Sequence, residues 1–357
     1  MTCSAQKLKI VGLAIAIVVL GGIASVSAQE KIAPLSDYQY KKDYPQFEAI
    51  KKEPDVQKRA DALLAFVKER GISKMLLYAA NDYMACVKPQ MDKKDWAKAI
   101  SMTESFLALV PTADAAKAAD PTRSDEFIKD ILVPTQKLLL SSLVTTYYQA
   151  QNWPKAAEMA EKTYELAPDK ALLPVIADIY SKFNADKYLV YGQKILAEFP
   201  MEQSYATALQ MAQAYIQKQD AAAATDMLAK VMDVYGDKVP PNVPEAQWNA
   251  TRAFAYGVIA GGVYGKKEYA KALELYEKVA KFDSTRDDAY YYIGMSKWQS
   301  QDPQGAIEAF AKCVVLNKSF AKKAQGYLEQ LYKARNKDTL DGLDQLLGKA
   351  KADLGVK

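Results

Sequence analysis

Five stretches of the chain repeat one pattern of polar and apolar positions. They are Asp95-Trp96-Ala97-Lys98-Ala99-Ile100, Asn152-Trp153-Pro154-Lys155-Ala156-Ala157, Gln219-Asp220-Ala221-Ala222-Ala223-Ala224, Glu268-Tyr269-Ala270-Lys271-Ala272-Leu273 and Asp302-Pro303-Gln304-Gly305-Ala306-Ile307. Each opens with a polar residue suited to a helix start and reaches an alanine four residues after its capping position. An apolar stripe then follows at helical spacing, as in Ala272, Leu273, Tyr276 and Val279, so each stretch predicts an amphipathic helix. Pro111, Pro168 and Pro200 lie twelve residues after Ala99, Ala156 and Tyr188, where a proline stops one helix and begins the next connection.

The alanines set the period. Ala272 to Ala306 is 34 residues, Ala156 to Tyr188 is 32 and Tyr188 to Ala224 is 36, with Tyr188 marking a degenerate unit. Two intervals are longer, Ala99 to Ala156 at 57 and Ala224 to Ala272 at 48. They contain Pro111–Ser124 and Gly236–Pro244, which read as loop-like insertions between repeats (111–124 and 236–247). A single helix pair cannot bury its own apolar stripe, so neighbouring pairs are expected to stack into an all-α solenoid with polar-faced ends.

The spacing resembles the tetratricopeptide repeat (TPR), a helix–turn–helix unit, over about residues 72–318 in roughly six units. Ile293-Gly294-Met295-Ser296-Lys297-Trp298 followed by Asp302 to Phe310 carries the resemblance best, together with Leu140, Leu143, Tyr147, Trp153, Ala156 and Pro168. Only Gly294 keeps the family glycine. The resemblance implies a right-handed α-α superhelix spanning residues 54–318, with 319–357 as C-terminal capping helices. It also implies a concave groove lined by the first helix of each pair. Carried over by register, Tyr148, Tyr180, Phe254, Tyr264, Tyr291, Met295 and Trp298 fall on that side. Tyr291 and Trp298 stand two turns apart on one face, suited to gripping one ligand segment. The family's lysine-and-asparagine clamp for a terminal carboxylate is absent, since Ser141 and Thr145 occupy two of its positions.

The ends follow the same logic. Glu53-Pro54-Asp55 starts a helix with Ala60, Leu63, Leu64 and Val67 on one face, ending at Gly71, a leading half-repeat. Ala321, Ala324, Leu328 and Leu331 form one stripe of the cap, and Leu340, Leu343 and Leu347 another. Residues 29–53 hold Tyr38, Tyr40 and Tyr44 among lysines without a clear period, and are expected to be an arm.

The first 28 residues stand apart. Lys7 and Lys9 precede the apolar run Ile10 to Leu20, and Val26-Ser27-Ala28 supplies small residues for a peptidase. This is the order of a secretory signal peptide cleaved after Ala28. The run is well short of the roughly 20 residues that span a bilayer, so membrane contact is expected only before cleavage, and the product is expected to be periplasmic or secreted. Cys3 precedes the apolar run, which disfavours lipidation.

Composition then narrows the function. Half of the 357 residues are hydrophobic and a quarter charged, with 16 glycines and 15 prolines, which suits a folded helical protein. Losing the two lysines of the leader lowers the net charge from +4 to +2, so nucleic acid is not the expected partner. There is no histidine, which removes the commonest general base at neutral pH and histidine metal sites. Cys86 and Cys313 lie far apart within helical patterns and form no zinc pattern, so they read as two buried thiols.

Gly261-Gly262-Val263-Tyr264-Gly265-Lys266-Lys267 lacks the spacing and hydroxyl of a phosphate loop. Gly257, Gly261 and Gly262 are expected to let a neighbouring helix or a bound chain approach closely. Asp287-Asp288 and Ser124-Asp125-Glu126 sit at helix starts, where acids favour the exposed N–H groups. No catalytic residue, metal or cofactor is expected. The leading reading is an exported scaffold or adaptor holding a peptide or protein in its groove, with envelope assembly or secretion as its setting. The alternative is a carbohydrate- or cell-wall-binding protein, and a hydrolase using carboxylates alone trails behind.

Overall fold

A computed structural model describes residues 33–356, in which every regular element is helical. The expected leader, residues 1–28, lies outside the described residues. The chain opens with α1 (Asp37–Lys51) and α2 (Val56–Arg70), followed by a first repeat pair, α3 (Leu76–Asp92) and α4 (Trp96–Leu107). An insertion contributes α5 (Ala113–Ala119) and α6 (Ser124–Phe127), and a π-helical turn (Ile128–Leu132) runs directly into α7 (Val133–Gln149). From there the pairs are regular: α7 with α8 (Trp153–Leu166), then α9 (Leu173–Ser181) with α10 (Ala185–Glu198). Next come α11 (Met201–Gln217) with α12 (Ala221–Tyr235), α13 (Glu245–Gly265) with α14 (Tyr269–Phe282), and α15 (Asp287–Gln299) with α16 (Pro303–Leu316). The chain ends in α17 (Ala321–Arg335) and α18 (Leu343–Leu354). Each second helix packs against the first helix of the following pair, and α17 and α18 both pack on α16. Six in-phase pairs therefore form an all-α solenoid of the TPR type.

A recurring turn builds the pairs. Lys94, Gln151, Gln219, Lys267 and Gln301 all adopt left-handed backbone, with φ between 59° and 64°. In each case the next residue's N–H reaches back to a carbonyl of the first helix, as in Asn152 N to Tyr147 O at 2.9 Å. This is the Schellman way of ending a helix. That next residue caps the second helix: the side chains of Asp95, Asn152, Asp220 and Asp302 accept from the N–H three residues on. One helix is closed and the next opened within three residues.

The period-setting alanines Ala99, Ala156, Ala224, Ala272 and Ala306 are all fully buried, because a small side chain lets two helix backbones approach. In the degenerate unit Tyr188 is itself buried, and its hydroxyl donates to Thr207 O at 3.2 Å. Two glycines mark close contacts between helices. A Cβ on Gly192 would lie 2.5 Å from Met211 Sδ, and one on Gly294 would lie 2.6 Å from the Phe310 ring. No neighbouring helix comes that close to Gly257, Gly261 or Gly262, where a Cβ meets nothing nearer than 3.4 Å.

Two further expectations need correction. Residues 37–51, placed in an arm spanning 29–53, form α1, which docks through Phe47 and a buried polar face, with Leu35 buried just before it. The carboxylate of Asp43 accepts from Ser73 Oγ at 2.6 Å and from Gln39 Nε2 at 2.7 Å. The insertion 111–124, read as a loop, folds as α5 and the start of α6, and Asp120 Oδ2 accepts from Leu35 N at 3.3 Å. The second insertion is irregular between α12 and α13, as its three prolines imply. The apolar core forms two clusters that meet along α7, one reaching to Leu139 and the other starting at Leu140.

Candidate functional site

Two open pockets hold exposed apolar side chains of first helices, Val175 of α9 in one and Tyr78 of α3 in the other. The pocket between α7 and α9 has a volume of about 410 Å³ and is lined by Val144, Thr145, Tyr148, Gln149, Pro174, Val175 and Asp178. Its apolar walls come from side chains one or two turns apart on each helix. Val175 is 42% exposed there, although it stands beside the buried pair Ile176 and Ala177. Asp178 is the pocket's acid and is already engaged: Tyr148 Oη donates to it at 2.8 Å and Lys182 Nζ at 3.0 Å. That hydroxyl bond comes first among the causes that raise the Tyr148 pKa. Thr145 Oγ1 donates to the carbonyl of Ser141 within the helix, at 3.1 Å.

The second pocket, about 620 Å³, lies between α1, α3 and the stretch of α6 and the π turn. Leu77, Tyr78, Phe127 and Ile131 supply its apolar surface, and Asp37, Lys74, Arg123, Glu126 and Asp130 its charged rim. Tyr78 is 61% exposed. The hydrogen bond from Lys74 holds the Asp37 carboxyl below its ordinary range.

The seven aromatic and methionine positions expected in the groove separate into distinct settings. Tyr148 lines the α7–α9 pocket, edge-on to Trp153 at 5.0 Å between ring centres. Phe254 is exposed on α13. Tyr180 is buried and stacks on Tyr191 at 5.6 Å, and burial followed by Glu161 pushes its pKa up. Tyr264 is half-buried between Tyr269 and Tyr292. Tyr291, Met295 and Trp298 are half-buried beside the end of the solenoid. The Tyr327 ring of α17 lies 6.2 Å from Tyr291 and 5.4 Å from Trp298, and Phe320 lies 5.0 Å from Tyr291. The pair expected to grip a ligand segment instead meets the cap, and burial pushes the Tyr291 pKa up to about 12.

Sequence reasoning missed Val175, Pro174, Asp178 and Tyr78. It sought aromatics on the first helices, whereas the α7–α9 pocket is mainly aliphatic, and among those aromatics it passed over Tyr78 of α3. The spacing of Val175 and Asp178, one turn apart on a helix whose other apolar residues are buried, is the signal that marks them.

Other chemistry-bearing groups are structural. Burial pushes the Cys313 thiol up to about 12, and Cys86 Sγ accepts from Arg59 Nε at 3.3 Å, a basic neighbour that its own helix did not reveal. Both cysteines are buried and free. Asp287 Oδ2 accepts from Phe320 N at 2.6 Å, tying the start of α15 to the start of the cap. Among the described residues, no cluster of three histidine, cysteine or acidic side chains could hold a metal ion. Among them, too, no helix is long and apolar enough to cross a membrane.

No family model and no curated protein matches the chain. Among solved structures it is similar to the TPR2AB domain of yeast Sti1 in a complex with pHSP90, at 14% identity, covering 88% of this chain and 99% of that one, with a TM-score of 0.34. It is also similar to the C-terminal part of a TPR repeat-containing protein from Cytophaga hutchinsonii, at 12% identity, 81% and 99% coverage and a TM-score of 0.39. A MamA structure from Desulfovibrio magneticus RS-1 is similar at 12% identity, 57% and 98% coverage and a TM-score of 0.33. These likenesses are distant, and the helix-pair architecture rests on this chain's own geometry.

Proposed function

We propose that the protein is a binding scaffold that holds a peptide or protein partner along the side formed by its first helices. The observation that carries this reading is the open, largely apolar pocket between α7 and α9, where Val144, Tyr148, Pro174 and Val175 surround an acid that is already hydrogen-bonded. A folded protein gains nothing for its own stability by leaving Val175 at the surface, whereas a partner side chain seated there would remove that apolar area from water. The leader-like residues 1–28 add the compartment: an exported protein, cleaved after Ala28 and periplasmic or secreted, with a role in envelope assembly or secretion.

Affinity capture from envelope extract with the natural protein and with Val175→Asp tests the groove. Loss of the captured partner at an unchanged melting temperature is the expected result, and equal capture by both proteins would move the site elsewhere. Intact mass of the purified protein tests export, with a mature N-terminus at Gln29 as the expected outcome.

A further inference from the structure

The groove side and the opposite side of the solenoid differ sharply in charge. On α11 the exposed positions beyond the first turn are Ala206, Gln210, Gln213, Ile216 and Gln217. On α13 they are Ala250, Phe254 and three glycines, with Gln247 about one turn before Ala250. On α7 and α9 the exposed positions are Thr145, Gln149, Pro174, Val175, Asp178 and Ser181. Beyond the first turns, where Glu202 and Glu245 are exposed, Asp178 is the one exposed charge in these sets, and both of its oxygens are taken, by Tyr148 and Lys182. The second helices are the reverse: α14 alone exposes Lys271, Glu274, Glu277, Lys278 and Lys281.

We infer that the partner enters the groove as an extended, uncharged stretch of polypeptide, bonded through its main chain to the glutamine side chains of α11 and to Gln247 of α13, and seating an apolar side chain between α7 and α9. This rests on the groove reading above and adds the chemistry of the ligand. Each glutamine presents both a donor and an acceptor, which matches the N–H and C=O that an extended strand offers along its edge. Gln210 Oε1 shares the Tyr188 hydroxyl proton with Thr207 O, at 3.2 Å from Oη, which orients its amide and leaves the NH₂ group to donate. Asn249 is half-buried and its oxygen accepts from Arg252 Nη1 at 2.8 Å, so Gln247 is the exposed amide on this helix. A lysine or carboxylate on the ligand would lose water here without gaining a counter-charge. The aliphatic walls of Val144, Pro174 and Val175 suit an apolar side chain. Sugar rings stack on exposed aromatic faces, and Phe254 is the one exposed large ring on these four helices.

The test uses the purified protein against arrayed peptides of three kinds: uncharged sequences of Gln, Thr, Val and Leu, the same with lysines, and the same with glutamates. A cell-wall glycan array runs beside them. The uncharged peptides should bind best, with affinity changing less than about twofold between roughly 0.05 and 0.5 M salt. Gln213→Ala with Gln247→Ala, both at exposed positions, should weaken them about tenfold at an unchanged melting temperature. Val175→Lys should shift the preference toward the acidic set. A natural preference for charged peptides, or a tenfold loss in salt, overturns this inference while the groove reading stands, provided Val175→Asp still abolishes binding. Glycan binding alone, if lost in Val175→Asp, overturns the peptide inference. If no probe depends on Val175, the groove reading itself falls.

Discussion

The stretch from α7 to α13 and the pair α15–α16 are built on the same repeat, yet their first helices meet opposite fates. In the first stretch Val175 and Phe254 stand in the open. At α15, Trp298 stands eight residues before Ala306, as the pocket-lining Tyr148 stands before Ala156, but it and Tyr291 lie against Tyr327 of α17. Repeat register therefore says which way a side chain points, and the next element in the stack decides whether that direction leads to solvent or into the core. A terminal helix turns groove positions into packing positions without any change in the repeat's own sequence pattern.

The largest expected effect lies at the covered end. Trp298→Ala should destabilise by about 3 kcal/mol, read from the denaturant midpoint, because its ring is packed on Tyr327. An unchanged midpoint with lost partner capture would put Trp298 in the open and dissolve the contrast. Ala272→Trp should cost about 2 kcal/mol by overpacking a fully buried helix contact. No loss there would mean that the helices separate more easily than their spacing implies.

Alkaline titration sharpens the comparison by a different route. Burial pushes Tyr83, Tyr188 and Tyr291 up to about 12 from an ordinary 10.0. A pKa raised in the folded state contributes stability that is complete below the unfolded value and lost as pH rises through the folded one. Helical circular dichroism should therefore hold steady to about pH 10 and fall by about pH 12. The chain has no histidine. Its stability should be nearly flat between about pH 6 and about pH 8, where histidines ordinarily titrate. A stability change in that window would point to a strongly shifted acid that the packing does not reveal. The smallest effect belongs to the turns: Lys94→Gly should stabilise by up to about 1 kcal/mol, since glycine adopts the left-handed backbone at φ 61° without the steric cost that lysine bears.

The repeat was legible because its marks are local. A capping acid or amide, an alanine four residues later and, in three units, a closing proline act within one helix pair, whatever surrounds it. The N-terminal helix was not legible, and the reason is visible in its packing. Beside Phe47, α1 turns Gln39 and Asp43 inward and satisfies them with each other and with Ser73, so its buried face is partly polar and an apolar period never appears. The candidate site was half legible for a related reason. Tyr148 and Phe254 follow from register alone, whereas Tyr180 is claimed by a stacking partner, Tyr191, and by Glu161 across the repeat. Partners contributed from outside a repeat leave no trace in its own pattern.

The π turn at Ile128–Leu132 acts as a phase shifter. A π turn holds more residues than the α turn it replaces, so it changes the angle at which everything before it faces, relative to α7. Glu126 and Phe127 precede the turn, Asp130 and Ile131 lie within it, and all four reach the pocket beside Tyr78. Deleting Lys129 to restore a plain α-helix would turn Ser124–Phe127 by about 100° and draw them about 1.5 Å along the axis. The pocket would lose one wall while the repeats beyond α7 kept their register, so this end of the solenoid can be retuned one residue at a time.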